Sequence, residues 1–195
     1  MLFYKQYIEK LWIYIFNKKN NYLIFSIIIF IFLSFNKAYS INLCDKLAAL
    51  EADPRKTSKP VLFEDLDAKK IITNCTNDLE KAKNSENISR FYLQRARGFL
   101  KIGSINDAIS DLNKSYEFGY PAAAFALATL FYLGDDVAQD FELAKKLYFE
   151  SYNLGVIWAA KGLFFLYSDP NYDGNNEKIA HMWEKVFSQS IIEYN

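Results

Sequence analysis

Ala108, Ala144 and Ala180 stand 36 residues apart. Gly119 and Gly155, Tyr116 and Tyr152, Ser115 and Ser151, Leu127 and Leu163, and Leu130 and Leu166 recur at the same spacing. A period of this length means a stack of like units, each too small to bury its own apolar face. Within each period the apolar residues fall at helical spacing, and nothing keeps the two-residue period of a strand. The fold class expected is therefore all-α, with helical hairpins repeated over 88–195.

Glycine and proline place the boundaries. The first pair is expected at about 88–102 and 105–118, the second at 121–133 and 140–154, the third at 156–168 and 176–190. Gly103, Gly119, Gly134 and Gly155 act as stops. Ser104, with Asp107 three residues on, is a cap candidate, and Pro121 suits a first turn. Upstream, 43–50 reads as a short helix and 53–63, with Pro54 and Pro60, as a linker. From Asp65 the residues Leu66, Ile71, Ile72, Cys75, Leu79 and Ala82 return to helical spacing. Residues 84–87 then supply caps for the first hairpin. Together 41–87 form an N-terminal helical arm.

The first forty residues read differently. Tyr22 to Phe35 is a run of fourteen residues without a charge, preceded by Lys18 and Lys19. A membrane span needs about 20 apolar residues, whereas the apolar region of a secretory signal needs about 7–15. Ala38 and Ser40 place small residues at −3 and −1 of a cut before Ile41. Residues 1–40 are expected to be a signal peptide; the rivals are an uncleaved anchor over 11–35 and lipidation at Cys44, which Leu43 disfavours. The chain is then periplasmic or secreted, touching a membrane only through 1–40 if that segment stays. Cys44 and Cys75 are the only cysteines, so an exported chain has one possible disulfide; the rival is a pair of buried thiols.

Composition excludes several functions. Lys plus Arg and Asp plus Glu are both 23, so no overall charge points to nucleic acid. Residues 1–40 carry a net +4 and 41–195 a net −4. One His and two Cys exclude a His/Cys metal cluster. His181 with Glu177 and Glu184 shares one helix face, a solvated surface rather than a closed coordination shell. Asp135, Asp136 and Asp140 lack the alternating donors and final Glu of a calcium loop. No nucleophile elbow, P-loop or zincin motif occurs. Neither catalytic residues, metal nor cofactor are expected.

The stretch Arg95-Ala96-Arg97-Gly98-Phe99-Leu100-Lys101-Ile102-Gly103, followed by Asp107-Ala108-Ile109 and Asp111-Leu112, resembles a tetratricopeptide repeat. In the next unit Ala128 and Ala144 lie 16 apart rather than 12, across the loop Gly134-Asp135-Asp136-Val137-Ala138-Gln139-Asp140. This resembles the Sel-one-like repeat, a tetratricopeptide relative. Asp136 stands where that family has a second glycine, a replacement tolerated in a left-handed position. The third unit keeps Ala159, Leu163, Tyr167, Ala180 and Trp183, with Pro170 and Asn171 where the loop glycines belong. The arm, with Cys44-Asp45-Lys46-Leu47-Ala48-Ala49, Asp53-Pro54 and Val61-Leu62-Phe63, resembles that of exported alphaproteobacterial repeat proteins. The resemblance implies a right-handed superhelical α-solenoid and a role in assembly or in protein and peptide binding.

In such arrays the first helix of each hairpin lines the concave side. Arg90, Leu93, Arg97 and Lys101 are then expected to face inward from the first unit, Phe125, Thr129 and Tyr132 from the second, and Trp158, Lys161 and Phe165 from the third. A groove with a basic end and an aromatic wall suits an extended peptide or a C-terminal carboxylate. The alternative occupant is peptidoglycan or polysaccharide, stacked on the same rings. A competing account of the apolar positions is inter-helix core. The solution state expected is a monomer or weak dimer.

Overall fold

The structure is a computed structural model and describes residues 42–194. The export signal expected within 1–40 lies outside the described residues. Among the described residues there are eight helices and no strand: α1 Leu43–Ala48, α2 Ala68–Lys81, α3 Ser85–Lys101, α4 Ile105–Glu117, α5 Pro121–Leu133, α6 Phe141–Asn153, α7 Trp158–Ser168 and α8 Glu177–Tyr194. Helices α3 and α4, α5 and α6, and α7 and α8 pack as hairpins, and each pair stacks on the next through α4 and α5 or α6 and α7. This is an α-solenoid. No described helix is long and apolar enough to cross a membrane.

The 36-residue period is physical. Helices α4 and α6 begin at Ile105 and Phe141 and end at Glu117 and Asn153. Each ends in the same cap: Tyr120 N–H donates to the Ser115 carbonyl at 3.2 Å, and Val156 N–H to that of Ser151 at 3.1 Å. Gly119 and Gly155 adopt the positive φ these turns require. Ser115 Oγ donates to the Ser89 carbonyl at 2.7 Å, and Ser151 Oγ to that of Pro121 at 2.9 Å. Each repeated serine thus ties the second helix of a hairpin to the start of the first. Buried alanines at 108, 144 and 180 let the helices approach closely.

Local expectations differ in two places. Ser104 makes no side-chain cap; its hydroxyl donates to the Asp107 carboxylate at 2.7 Å. The side-chain caps are Asp67, Asn84, Asp140 and, ahead of α8, Asn176, which accepts from Ile179 N–H at 3.1 Å. Asp136 is not left-handed, since no described residue other than glycine has positive φ. The longer loop turns at Gly134 (φ 72°) alone and is then pinned, with Asp140 N–H on the Phe131 carbonyl and Gln139 Nε2 on that of Tyr132.

The arm is stapled as well as packed. Cys44 and Cys75 form a disulfide between α1 and α2, with Cα atoms 4.6 Å apart. Around it Cys44, Ala48, Leu66, Ile71, Cys75 and Phe91 form a small core. A second core runs through the stack from Leu93 to Trp183 and takes in Ala52 of the arm.

Candidate functional site

The inward stripe of α3 is covered by the chain itself. Arg90, Gln94, Arg97 and Lys101 recur at three and four residues and therefore share one helix face. Arg90 Nε and Nη2 donate to the two Asp45 oxygens at 2.7 and 3.2 Å, and Gln94 Nε2 donates to Asp45 Oδ1 at 3.0 Å. Burial opposes the charge on Arg90, but Asp45 outweighs it and the guanidinium pKa rises. Arg97 Nη1 donates to the carbonyls of Ala48 and Ala49 at 2.8 and 2.7 Å, and Nη2 to that of Val61 at 2.7 Å. Lys101 Nζ reaches the carbonyls of Phe63 and Glu64, both at 3.0 Å.

Arg97 thereby acts as the C-terminal cap of α1. The last carbonyls of a helix lack intrahelical partners, and a cation there complements the helix dipole. The helix stops at Ala48, two residues earlier than expected, because Ala49 turns extended. At the other end Asp78 accepts from Cys44 N–H at 3.0 Å. Among the described residues Arg97 has no carboxylate partner, and burial pushes its pKa down to about 10, so it remains charged at neutral pH. Further along the arm, buried Asp53 accepts from Tyr120 OH at 2.8 Å and from Arg55 N–H at 2.8 Å. Desolvation raises the Asp53 pKa despite those two donors.

Arg90, Arg97 and Lys101, expected to line an open groove, are therefore corrected: the first two are buried and all three hold the arm. Leu93 is wholly buried core. The partners that sequence reasoning missed are Asp45, Asp53, Gln94 and Tyr120. Asp45 and Asp53 stand among several charged residues of the arm, and nothing in the pattern marks them, Gln94 or Tyr120 as partners.

The face contributed by α5 and α7 is more open but still largely structural. Phe125 stacks obliquely on Tyr148 of α6 (centroids 5.9 Å apart) and Tyr132 on Phe141 at 6.1 Å. Thr129 Oγ1 donates to the Phe125 carbonyl and accepts from Tyr148 OH. Burial, then the nearby Asp169 carboxylate, raises the Tyr132 pKa. Trp158 packs on Phe187 of α8 at 5.3 Å, and its indole N–H is buried without a hydrogen-bond partner. Lys161 lies 4.4, 4.9 and 5.8 Å from the ring centroids of Phe164, Phe165 and Phe187. It has no ion-pair partner among the described residues. Phe165 is 48% exposed, and Leu133 at the end of α5 is 51% exposed.

No constellation for chemistry accompanies this face. His181 is exposed on α8, with Glu184 at 3.3 Å and Glu177 at 3.7 Å. Among the described residues no group of three His, Cys, Asp or Glu side chains is placed to hold a metal ion.

No protein-family model and no curated protein matches the chain. Among solved structures it is similar to a Sel1 repeat protein from Oxalobacter formigenes, at 16% identity and a TM-score of 0.41, over 64% of this chain. The match covers 59% of that protein, so the chain spans about three fifths of its length.

Proposed function

We propose that the chain is a non-enzymatic interaction module that binds an extended segment of another protein along the faces of α5 and α7. One observation carries this reading: the same face of α3 already holds a peptide, the chain's own arm, through main-chain carbonyls. Arg97 and Lys101 take five such carbonyls between them. Recognition of main chain rather than side chains is what a groove for extended segments requires. Beyond the arm, Lys161, Phe165 and the half-buried Trp158, with Phe125 and Tyr132 behind them, continue the surface. An exported, periplasmic setting fits the disulfide formed by the only two cysteines, because such bridges persist in oxidising compartments. The module acts as a monomer or weak dimer. The polysaccharide reading is not favoured, because Trp158, Phe125 and Tyr132 turn much of their ring surface into the stack.

The test is selection of displayed peptides on the oxidised full chain, followed by affinity measurement. Phe165→Ala and Lys161→Ala should each weaken a selected peptide about tenfold, the loss typical of a central anchor. Lys178→Ala, on the exposed face of α8, should leave it unchanged. Selected peptides indifferent to the first two substitutions would refute the assignment.

A further inference from the structure

The two edges of the stack differ in charge. In a row of hairpins, the connections into the second helices share one edge and the connections into the first helices share the other. The segments that lead into α2, α6 and α8 hold three acids in 62–67, three in 134–140 and two in 169–176, with no Lys or Arg. Lys101, at the end of α3, fixes 62–67 at this edge through the Phe63 and Glu64 carbonyls. The segments that lead into α3, α5 and α7, residues 82–84, 118–120 and 154–157, hold Lys83 and no acid. In the adjoining helical turns Lys81, Lys83 and Lys114 offset Glu80, Glu86 and Glu117, and Glu150 is taken by Tyr116 OH at 2.8 Å. The second edge is therefore nearly neutral.

The neutral edge also exposes large apolar side chains in register. Phe118 and Leu154, 36 residues apart, end α4 and α6 and are 51% and 48% exposed. The apolar contact of these caps falls to Tyr120 and Val156, both buried, so the caps need neither Phe118 nor Leu154. Both ends of the described residues reach the same edge. Helix α1 runs beside α3 in the same direction, with Asp45 on Arg90 and Ala49 on Arg97, so Leu43, 49% exposed, stands level with the start of α3. Helix α8 returns along α7, where Phe187 meets Trp158, the first residue of α7. Ile192, beyond Phe187 on the same helix, is 76% exposed. The opposite edge exposes Leu62, Phe63, Ile102 and Leu133, but among its carboxylates.

We propose that the edge carrying Leu43, Phe118, Leu154 and Ile192 rests on the surface of a lipid bilayer. These residues stand on two turns and near two chain ends rather than in a groove. Each can enter a fluid surface separately, whereas a protein partner would need matching relief. Apolar side chains gain by leaving water at the acyl boundary, and turns without carboxylates lose no hydrated charge there. Anionic lipid repels the acidic edge and so turns the neutral one inward. The chain also enters the stack on this edge, at Asn42, from a segment that holds the uncharged run Tyr22–Phe35. The contact is superficial, since no described helix is long and apolar enough to cross a membrane.

The experiment uses the oxidised full chain, whose two cysteines are bridged, so that an added cysteine is the free thiol. Asn153→Cys, beside Leu154, and Asp136→Cys, on the acidic edge, are each labelled with a nitrobenzoxadiazole dye. Vesicles of phosphatidylcholine and phosphatidylglycerol that contain nitroxide-labelled lipid are added at about 150 mM salt, where loose charge attraction is screened. Dye at 153 should be quenched severalfold more than dye at 136. That difference should be lost in Phe118→Ser/Leu154→Ser and kept in Phe118→Leu/Leu154→Phe, with circular dichroism to show retained fold. The dyes report position by position, so membrane binding by residues 1–40, common to all variants, does not create the difference. Equal quenching at both positions, quenching at neither, or quenching at 153 that survives Phe118→Ser/Leu154→Ser overturns the assignment.

Discussion

Arg97 was the natural candidate for contact with a partner, and its surroundings make a different prediction. Replacing it with Met keeps the apolar stem but removes three charge-assisted hydrogen bonds to the arm. Bonds to a charged group contribute about 1.5–3 kcal/mol each, and a buried acceptor left alone costs about 1–3 kcal/mol. The bonds to Ala48 and Ala49 are buried, whereas the Val61 carbonyl is only partly so and water can replace its partner. Losing the guanidinium also removes its own desolvation penalty, which is considerable because no carboxylate among the described residues faces it. The balance is a destabilisation of about 3 kcal/mol, with α1 losing its C-terminal cap. In urea that lowers the midpoint by about 2 M at an ordinary slope for a domain of this size. The arm should also become sensitive to trypsin at Arg55 and Lys56. Arg97→Lys, with one ammonium to serve three spread carbonyls, should fall about halfway. A midpoint shift under about 0.5 M with unchanged tryptic cleavage would refute the reasoning, since it would mean the arm does not depend on Arg97.

Reduction of the Cys44–Cys75 bridge, 31 residues apart in sequence, should cost about 3.5 kcal/mol on the loop-closure account, read as a lower thermal midpoint in reductant. Gly162→Ala should destabilise by about 1–3 kcal/mol, because a Cβ there falls inside the Tyr148 ring on the facing helix; an unchanged midpoint would mean that α6 and α7 yield easily. Asp53 gives a pH prediction. Its carboxyl is raised above 3.8 in the folded chain, so the folded state holds that proton more tightly. Its contribution is complete below 3.8 and is lost as pH rises through the folded value. Asp53→Asn, which keeps an acceptor for Tyr120 and Arg55, should flatten that part of the stability profile in denaturant melts across pH.

The hairpins were legible because their signals are local and periodic. Helices α4 and α6 share bounds 36 residues apart, and the paired serines do the same work in both units. The third hairpin was found even without loop glycines, since Ala180 and Trp183 are buried where the period places them. Helical spacing also grouped Arg90, Arg97 and Lys101 correctly on one face. It could not say what covers that face. Their partners lie 36 to 49 residues upstream, most of them main-chain carbonyls, which leave no mark on the amino-acid pattern. Phe125 and Tyr132 misled for a related reason: an aromatic at helical spacing serves equally as groove wall or as a plug between helices, and here each has a ring partner on α6.

The arm makes the two halves of the stack unlike in chemistry. On α3 the positive charges meet main-chain oxygens and the Asp45 carboxylate, so that face is electrically satisfied from within. On α7 the one cation of the face, Lys161, sits among three rings that stabilise its charge by their π-faces and leave its donors without a carboxylate among the described residues. A segment docking there meets apolar surface first and then a single ammonium. An apolar stretch ending in a carboxylate satisfies both, whereas a basic segment brings like charge against Lys161 with nothing nearby to offset it. Peptides selected on the full chain should therefore be apolar with an acidic residue or a free C-terminus, and amidating that terminus should weaken them about as much as Lys161→Ala. If amidation does nothing while Lys161→Ala still weakens binding, the lysine contributes through its rings and stem rather than its charge.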